Sequence, residues 1–446
     1  MEYGLLLKLG MVLIISMVIC EVGLGAPESD LIPKLPGQTQ DVSFKQYSGY
    51  ITTSEHHGRA LFYYFVEAEN NPTSSPLTLW FNGGPGCSSL GYGAFMEHGP
   101  FKPIDGGLLE QNKYSWNKES NMLYVESPVG VGFSYSNTSS DYNSNDTLSA
   151  QDNLAFLVNW LDKFPEFKVV DFYLAGESFA GMPKSSLIIS VQEYVGNSVA
   201  YSNKLLGNPL LDLEISVNNG EFLWSHGLIS DRSYLMDQTV CNNSRYLNEY
   251  YQDKWSRACN DVNNNITADI GDASAVDIHD VTLGACLSDL PSQAIPSRDK
   301  GRIHTMNLQK INGIDLCIGD KILIYLNTRE VQIALRANTT NLPYHWDFCV
   351  GGDQDAVVPL TSTRTIVNSL AKELKLFRLQ RYKPWYDQKQ VAGWTQAYGR
   401  PINGQNQTIL MYGTVRGASH TVPYTSPSEA LTLFRAFLKG SPLPNK

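Results

Sequence analysis

Ser178 stands in DFYLAGESFAG, residues 171 to 181, one serine among small residues directly after an apolar run. A serine hydroxyl attacks a carbonyl carbon only when a base takes its proton, a carboxylate orients that base, and amides receive the oxyanion. The chain offers a candidate for each part. Phe172 to Ala175 read as a short buried strand, and Gly176, Ala180 and Gly181 let the chain turn sharply into a helix. Such a turn lifts the central side chain clear of the sheet, the mechanical content of a G-x-S-x-G signature, here with Ala180 in place of the second glycine. Upstream, WFNGGPGCSS (80–89) ends a strand in two glycines, so that the amides of Gly84 and Phe179 become candidates for the oxyanion hole. No G-K-[ST] follows, which disfavours a phosphate loop. Downstream, Asp355 lies in GGDQDAVVPL before a helix, and His420 lies in TVRGASHTVP after a strand. The plainer readings are a helix cap or calcium ligand for Asp355 and a structural histidine at 420.

These residues need a sheet to hold them. YSGYITT, ALFYYFVEA and LTLWF, between Tyr47 and Phe81, alternate or run apolar and read as opening strands. MLYVES (122–127) is another. Leu154, Leu157, Val158 and Leu161 then mark one helix face before DFYLAGES, so strand, helix and strand imply a parallel crossover. From Glu214 to Arg302 the strand pattern fades into polar segments with Trp224, Tyr234 and Tyr246, which read as a mainly helical insertion. NTREVQIALRAN from Asn327, and Val367, Leu370, Ala371 and Leu374, predict two further helices, and ILMYGTV (409–415) a last strand. The spacing at the end predicts a helix with Ser426 as N-cap, Pro427 at its first position, Glu429 closing a capping box and Gly440 as the stop. The reading is an α/β-hydrolase fold with a helical insertion, whose chain order of serine, aspartate and histidine fits. It comprises residues 27–213 and 303–446 as the core and 214–302 as the insertion.

The chain has 446 residues, 42% of them hydrophobic, enough to bury a large core. A net charge of −10 with no basic patch excludes nucleic acid as a partner. LLLKLGMVLIISMVIC (5–20), followed by GLGA, reads as a signal peptide spanning residues 1–26, after which no membrane contact is expected. Its removal leaves Cys87, Cys241, Cys259, Cys286, Cys317 and Cys349, an even set that allows up to three disulfides in an oxidising compartment. Neither a C-x-x-C pair nor H-E-x-x-H appears, so no metal or other cofactor is expected. Glycosylation sequons begin at Asn137, Asn145, Asn242, Asn265, Asn338 and Asn406. The expected location is secreted or vacuolar.

NGGPGCSS, GESFAG, GDQD and the SHTVP loop resemble the four signature segments of the serine carboxypeptidase family. WSHGLISD and the terminal SPSEALTLFRAFLKGSPLP resemble its plant members, and the likeness spans nearly the whole mature chain. The resemblance implies Ser178 as nucleophile, Asp355 and His420 as its partners, and Gly84 and Phe179 as the oxyanion hole. It further implies that Asn82, Gly83, Glu97 and Glu177 hold the terminal carboxylate of a peptide substrate. It pairs Cys87 with Cys349, Cys286 with Cys317, and Cys241 with Cys259. Two carboxyl groups beside a bound carboxylate need a retained proton, so such an enzyme favours acid. A homodimer is admitted. The first rival reading is an acyltransferase on the same scaffold, whose members usually place Asp before the serine where this chain has Glu177. The second is an inactive secreted homologue, because strand segments near Asp355 and after Ser178 are shortened; Thr421 after His420, where Glu or Met is usual, is a milder departure. MPKSSLIIS follows GESFAG where an aromatic and a later proline are usual. Only Lys204, Leu205 and Leu206 precede Gly207 as strand. WDFCV runs directly into GGDQD where a connecting stretch and a full apolar strand are usual.

Overall fold

A computed structural model of the chain describes residues 26–84, 86–143, 145–181, 201–210, 215, 219–252, 254–271, 280–281, 283–284, 286, 310–311, 313–349 and 360–445. The signal-peptide stretch 1–25 and Asp355 lie outside them.

The central sheet has seven strands: β1 (Leu31–Ile32), β2 (Gln46–Ser54), β3 (Arg59–Val66), β4 (Leu77–Phe81), β5 (Asn121–Val125), β6 (Phe172–Glu177) and β7 (Tyr201–Gly207), in the order β1-β2-β3-β5-β4-β6-β7. The first members pair antiparallel, whereas β5, β4, β6 and β7 run parallel. Every residue of β4, β5 and β6 is buried. Near-continuous apolar runs of this kind form strands that are covered on both faces. In β3 the two faces separate cleanly: Leu61, Tyr63 and Phe65 join one core and Phe62, Tyr64 and Val66 the other. The first core is closed by α1 (Asp146–Lys163), which starts where the Asn145 side chain accepts from the Leu148 amide at 2.9 Å. Phe156, Leu157, Trp160 and Leu161 project from α1 onto the sheet. Trp160 stacks on Phe164 at 4.4 Å and meets Phe65 edge-on at 5.0 Å. Trp160→Ala is expected to cost about 3–5 kcal/mol of stability, as large-to-small changes in packed cores do, read as a fall in the urea midpoint at unchanged slope.

Among the described residues of the stretch read as an insertion lie α2 (Gly220–Ser225), α3 (Asp231–Thr239), α4 (Asn243–Tyr251) and α5 (Arg257–Ile270). Ser230, Asn242 and Ser256 cap α3, α4 and α5 by accepting from backbone amides. The Cys241–Cys259 disulfide joins the end of α3 to α5. On the second face of the sheet lie α6 (Ile318–Leu326) and α7 (Arg329–Ala334), followed by α8 (Leu360–Glu373) and α9 (Pro427–Leu438). A separate three-stranded antiparallel sheet contains β8 (Phe377–Asp387), β9 (Gln390–Ile402) and β10 (Gln405–Gly413).

Two local expectations need correction, and one hairpin went unread. The strand before Gly207 is seven residues long, because Tyr201, Asn203 and Lys204 pair with β6 through their backbones whatever their side chains. The capping box at α9 does not form: Ser426 makes no side-chain cap, and its N–H already donates to Val422 O at 2.9 Å, leaving nothing for Glu429 to accept. The helix does stop at Gly440, which takes a positive φ of 55°. The β8–β9 hairpin gave no turn signal, because Gln388 and Lys389 occupy the left-handed region (φ 46° and 66°) that Asn-Gly usually fills.

Candidate active site

Strand β6 is interior, paired with β4 and β7 on its two sides, and ends at Glu177. The next residue, Ser178, takes φ 54° and begins a single turn of 3-10 helix, Ser178–Gly181. A non-glycine residue there is strained, and the strain is sustained by its surroundings. Leu210 N donates to Ser178 O at 3.0 Å from one side. Gly83 presses from the other, where a Cβ would lie 2.6 Å from Ser178 Cβ and 2.7 Å from Phe179 N. Only glycine permits that approach. Gly84, at φ 112°, turns the loop that follows, and Cys87 N closes it by donating to Gly83 O at 3.0 Å.

Beside this elbow the Asn82 amide is fully engaged. Its Nδ2 donates to Glu97 Oε1 at 3.0 Å and to Glu177 Oε1 at 2.6 Å. Its Oδ1 accepts from Trp80 Nε1 at 2.6 Å and from Gly93 N at 3.1 Å. The four bonds fix which way the amide faces and draw the two carboxyl groups together. Glu97 comes from the π-helical segment Leu90–Glu97 and Glu177 from the end of β6, and both are buried. Burial pushes the Glu97 carboxyl up to about 7, against the pull of its bonds to Asn82 and Glu177 and of the Lys102 charge. Two carboxyl groups can bond only while one keeps its proton, so the pair stores a proton where a lone glutamate would be ionised. Trp80 went unread in the sequence as a site residue: an indole at the end of an apolar strand looks like core, and only its 2.6 Å bond to Asn82 reveals a second task.

His420 follows β10 and the turn at Gly417 (φ 72°), in a loop whose Ser419 N donates to Thr425 Oγ1 at 3.0 Å. It is buried, and with Glu177, Trp80 and Trp116 it lines a single cavity of about 1890 Å³. The structure thus brings Asn82, Gly83, Glu97, Glu177, Ser178 and Phe179 together, and of these Glu177 shares the cavity with His420. Three disulfides join Cys87 to Cys349, Cys241 to Cys259 and Cys286 to Cys317, with Cα separations of 4.0, 5.0 and 5.0 Å. The first of them straps the loop after Gly84 to the segment that leads towards Asp355.

A family model described as serine carboxypeptidase matches residues 36–351 and 350–440, in two segments that meet at Val350 and Gly351. The Arabidopsis thaliana protein serine carboxypeptidase-like 45 is 43% identical over 94% of this chain and 94% of its own length. Serine carboxypeptidase-like 46 from the same plant is 41% identical over 94% of this chain and 93% of its own. Among solved structures, KEX1(DELTA)P, a prohormone-processing carboxypeptidase from Saccharomyces cerevisiae, superposes with a TM-score of 0.64 at 17% identity, covering 93% of this chain and 96% of that one. That likeness shows the shared α/β-hydrolase fold.

Proposed function

The chain belongs to the serine carboxypeptidase family, and from that premise we propose that it removes C-terminal residues from peptides through an acyl-enzyme on Ser178. His420 takes the Ser178 proton as the hydroxyl attacks the last peptide carbonyl, and Asp355 orients the imidazole. The amides of Gly84 and Phe179 receive the oxyanion. The imidazole then returns its proton to the leaving amine, and water repeats the sequence to release the shortened peptide. The substrate's terminal carboxylate is held by Asn82, the Gly83 backbone and the Glu97–Glu177 pair. The observation that carries this reading is the Asn82 amide clamped between two buried glutamates, a site whose stored proton complements an arriving carboxylate. The three disulfides fit passage through an oxidising secretory pathway. Among the described residues no helix is long and apolar enough to cross a membrane. Asn137, Asn145, Asn242 and Asn406 are exposed and are the proposed glycan carriers, whereas Asn338 is half-buried with its amide donating to Gln332 Oε1 at 3.2 Å.

The carboxylate site sets an expected pH dependence. Glu97 is raised from 4.5 to about 7, so its proton is held below that value and lost above it. Above it an arriving carboxylate meets net negative charge. KM for a blocked dipeptide is therefore expected to rise about tenfold per pH unit once the pair is ionised, the limiting slope of a single proton. The KM of an ester substrate lacking a free carboxylate stays flat. His420 opposes this at low pH, because it must be neutral to act as base. Parallel KM profiles for peptide and ester from about pH 4 to 8 would refute the role given to the two glutamates.

A further inference from the structure

Behind the catalytic loop lies a carboxyl group with no part in the chemistry described so far. Glu126, just past β5, is 1% exposed. It forms no ion pair among the described residues. Its side chain instead collects three donors: the Ser88 hydroxyl and Trp346 Nε1 (2.9 Å) on Oε1, and Phe133 N (2.7 Å) on Oε2. Gly132, at φ 52°, packs so closely against the carboxyl that a Cβ there would overlap it. The donors come from three separate pieces of chain. Ser88 follows Cys87 in the oxyanion loop, and its Oγ also accepts from Gly91 N at 2.9 Å. Trp346 lies three residues before Cys349, and Ser88 N donates to Phe348 O at 2.7 Å. Glu126 therefore sits across the same junction as the Cys87–Cys349 disulfide, joining it from the inside.

We propose that Glu126 is a positioning residue for the reaction, its carboxylate holding the loop of Gly84 and the Trp346–Cys349 strap as one body. The proposal rests on the acyl-enzyme reading of Ser178 for its catalytic half. Its structural half stands on the three donors alone. All three point N–H or O–H at the carboxyl, which matches the ionised form. Once protonated, the carboxyl must donate one bond, and of its partners only the Ser88 hydroxyl can accept. Protonation thus reverses the bond to the oxyanion loop while sparing those to Phe133 and Trp346. Burial pushes Glu126 up to about 7, with the three donors pulling the other way. The titratable groups facing it are Tyr50 from β2 and Tyr344 from the segment before Trp346, both phenols that stay neutral in the pH range of the test, and their neighbours Tyr135 and Tyr142.

The test has two readouts. With 5-fluorotryptophan incorporated, the Trp346 resonance, assigned from Trp346→Phe, is expected to titrate with a midpoint near 7 and to stand still in Glu126→Gln. A Trp346 signal that does not move with pH, or that moves equally in Glu126→Gln, overturns the tie. The Trp80 signal, which reports on Asn82, serves as an internal control that Glu126→Gln leaves unaltered. Second, the rate of Ser178 modification by an organophosphonate is expected to fall about tenfold to hundredfold in Glu126→Gln, a loss typical of slightly misplaced groups, with probe affinity unchanged. In Glu126→Gln the amide sets donor against donor in either orientation, its NH2 meeting the indole when placed at Oε1 and Phe133 N when placed at Oε2. Adding Trp346→Phe removes that clash, so recovery of the rate in the double variant would mean that Glu126 is merely structural, and a rate that stays low supports positioning. If the unaltered chain is not modified at Ser178 at all, the acyl-enzyme reading fails and the catalytic half of the proposal with it, while the fluorine titration still decides the tie.

Discussion

Ser178→Ala abolishes labelling by an organophosphonate and lowers kcat for peptide hydrolysis to the residual level of a dismantled triad, about 10⁶-fold below an intact triad and about 10²-fold below one whose orienter is already lost. Nothing else on the elbow can replace the hydroxyl. Glu177 is committed to Asn82, and the residues after Ser178, Phe179 and Ala180, bring no nucleophilic side chain. The alanine variant keeps the backbone at φ 54° and should melt where the wild type does, which separates lost chemistry from lost fold. Ser178→Gly makes the complementary point. Glycine adopts that φ without strain, so this variant is equally inactive yet more stable by about 1 kcal/mol, the lower end of the cost of a left-handed non-glycine residue. Intact-mass spectrometry after probe treatment and a thermal melt of each variant supply the measurements. Labelling that persists in Ser178→Ala would place the nucleophile elsewhere.

Much of this site was legible because its parts are local. The elbow is a short motif with small residues at fixed offsets from the serine, and the glycine pair upstream is equally visible: Gly83 touches Ser178 Cβ and Phe179 N, so no side chain fits there. The pairing of the cysteines and the roles of Glu97 and Glu177 came from resemblance, since neither separation in sequence nor residue type says which carboxyl groups will meet. What stayed hidden was of two kinds. Trp80 is joined to the site by one hydrogen bond and Glu126 by three, both from buried positions, and a pattern of buried residues does not show which one carries a polar task. The β8–β9 hairpin was missed because its turn, Gln388–Lys389, uses residues that seldom adopt positive φ.

The last expectation concerns the place where the chain departs from its family. The family model matches in two segments that meet at residues 350 and 351, where WDFCV runs into GGDQD. Among the described residues the central sheet ends at β7, and β10, which leads to His420, belongs to a different sheet. Among the described residues no strand pairs with both. The cavity of about 1890 Å³ has Lys204 to Gly207 of β7 on one wall and Ile409 to Gly413 of β10 on another. Ile409 and Met411 are 43% and 40% exposed, although they belong to the apolar run ILMY within β10. A strand laid between β7 and β10 would cover these side chains, satisfy both edges and end beside Asp355, since catalytic side chains in open parallel sheets sit past the strands' carboxyl ends. For such a strand the sequence supplies only Phe348, Cys349 and Val350 before GGDQD, and a triad whose orienter is disabled loses about 10⁴-fold in kcat. Inserting a connecting stretch and an apolar strand between Val350 and Gly351 is therefore expected to raise kcat for peptides by about 10²- to 10⁴-fold and to raise the melting temperature. KM should change little, because Asn82, Glu97 and Glu177 are already in place. The decisive comparison is turnover of one blocked dipeptide by the two chains at the same mildly acidic pH. If the chain as it stands already turns over at about 10 per second, an ordinary enzyme rate, and the insertion adds nothing, then the carboxylate is held by some other means and the missing strand has no catalytic cost.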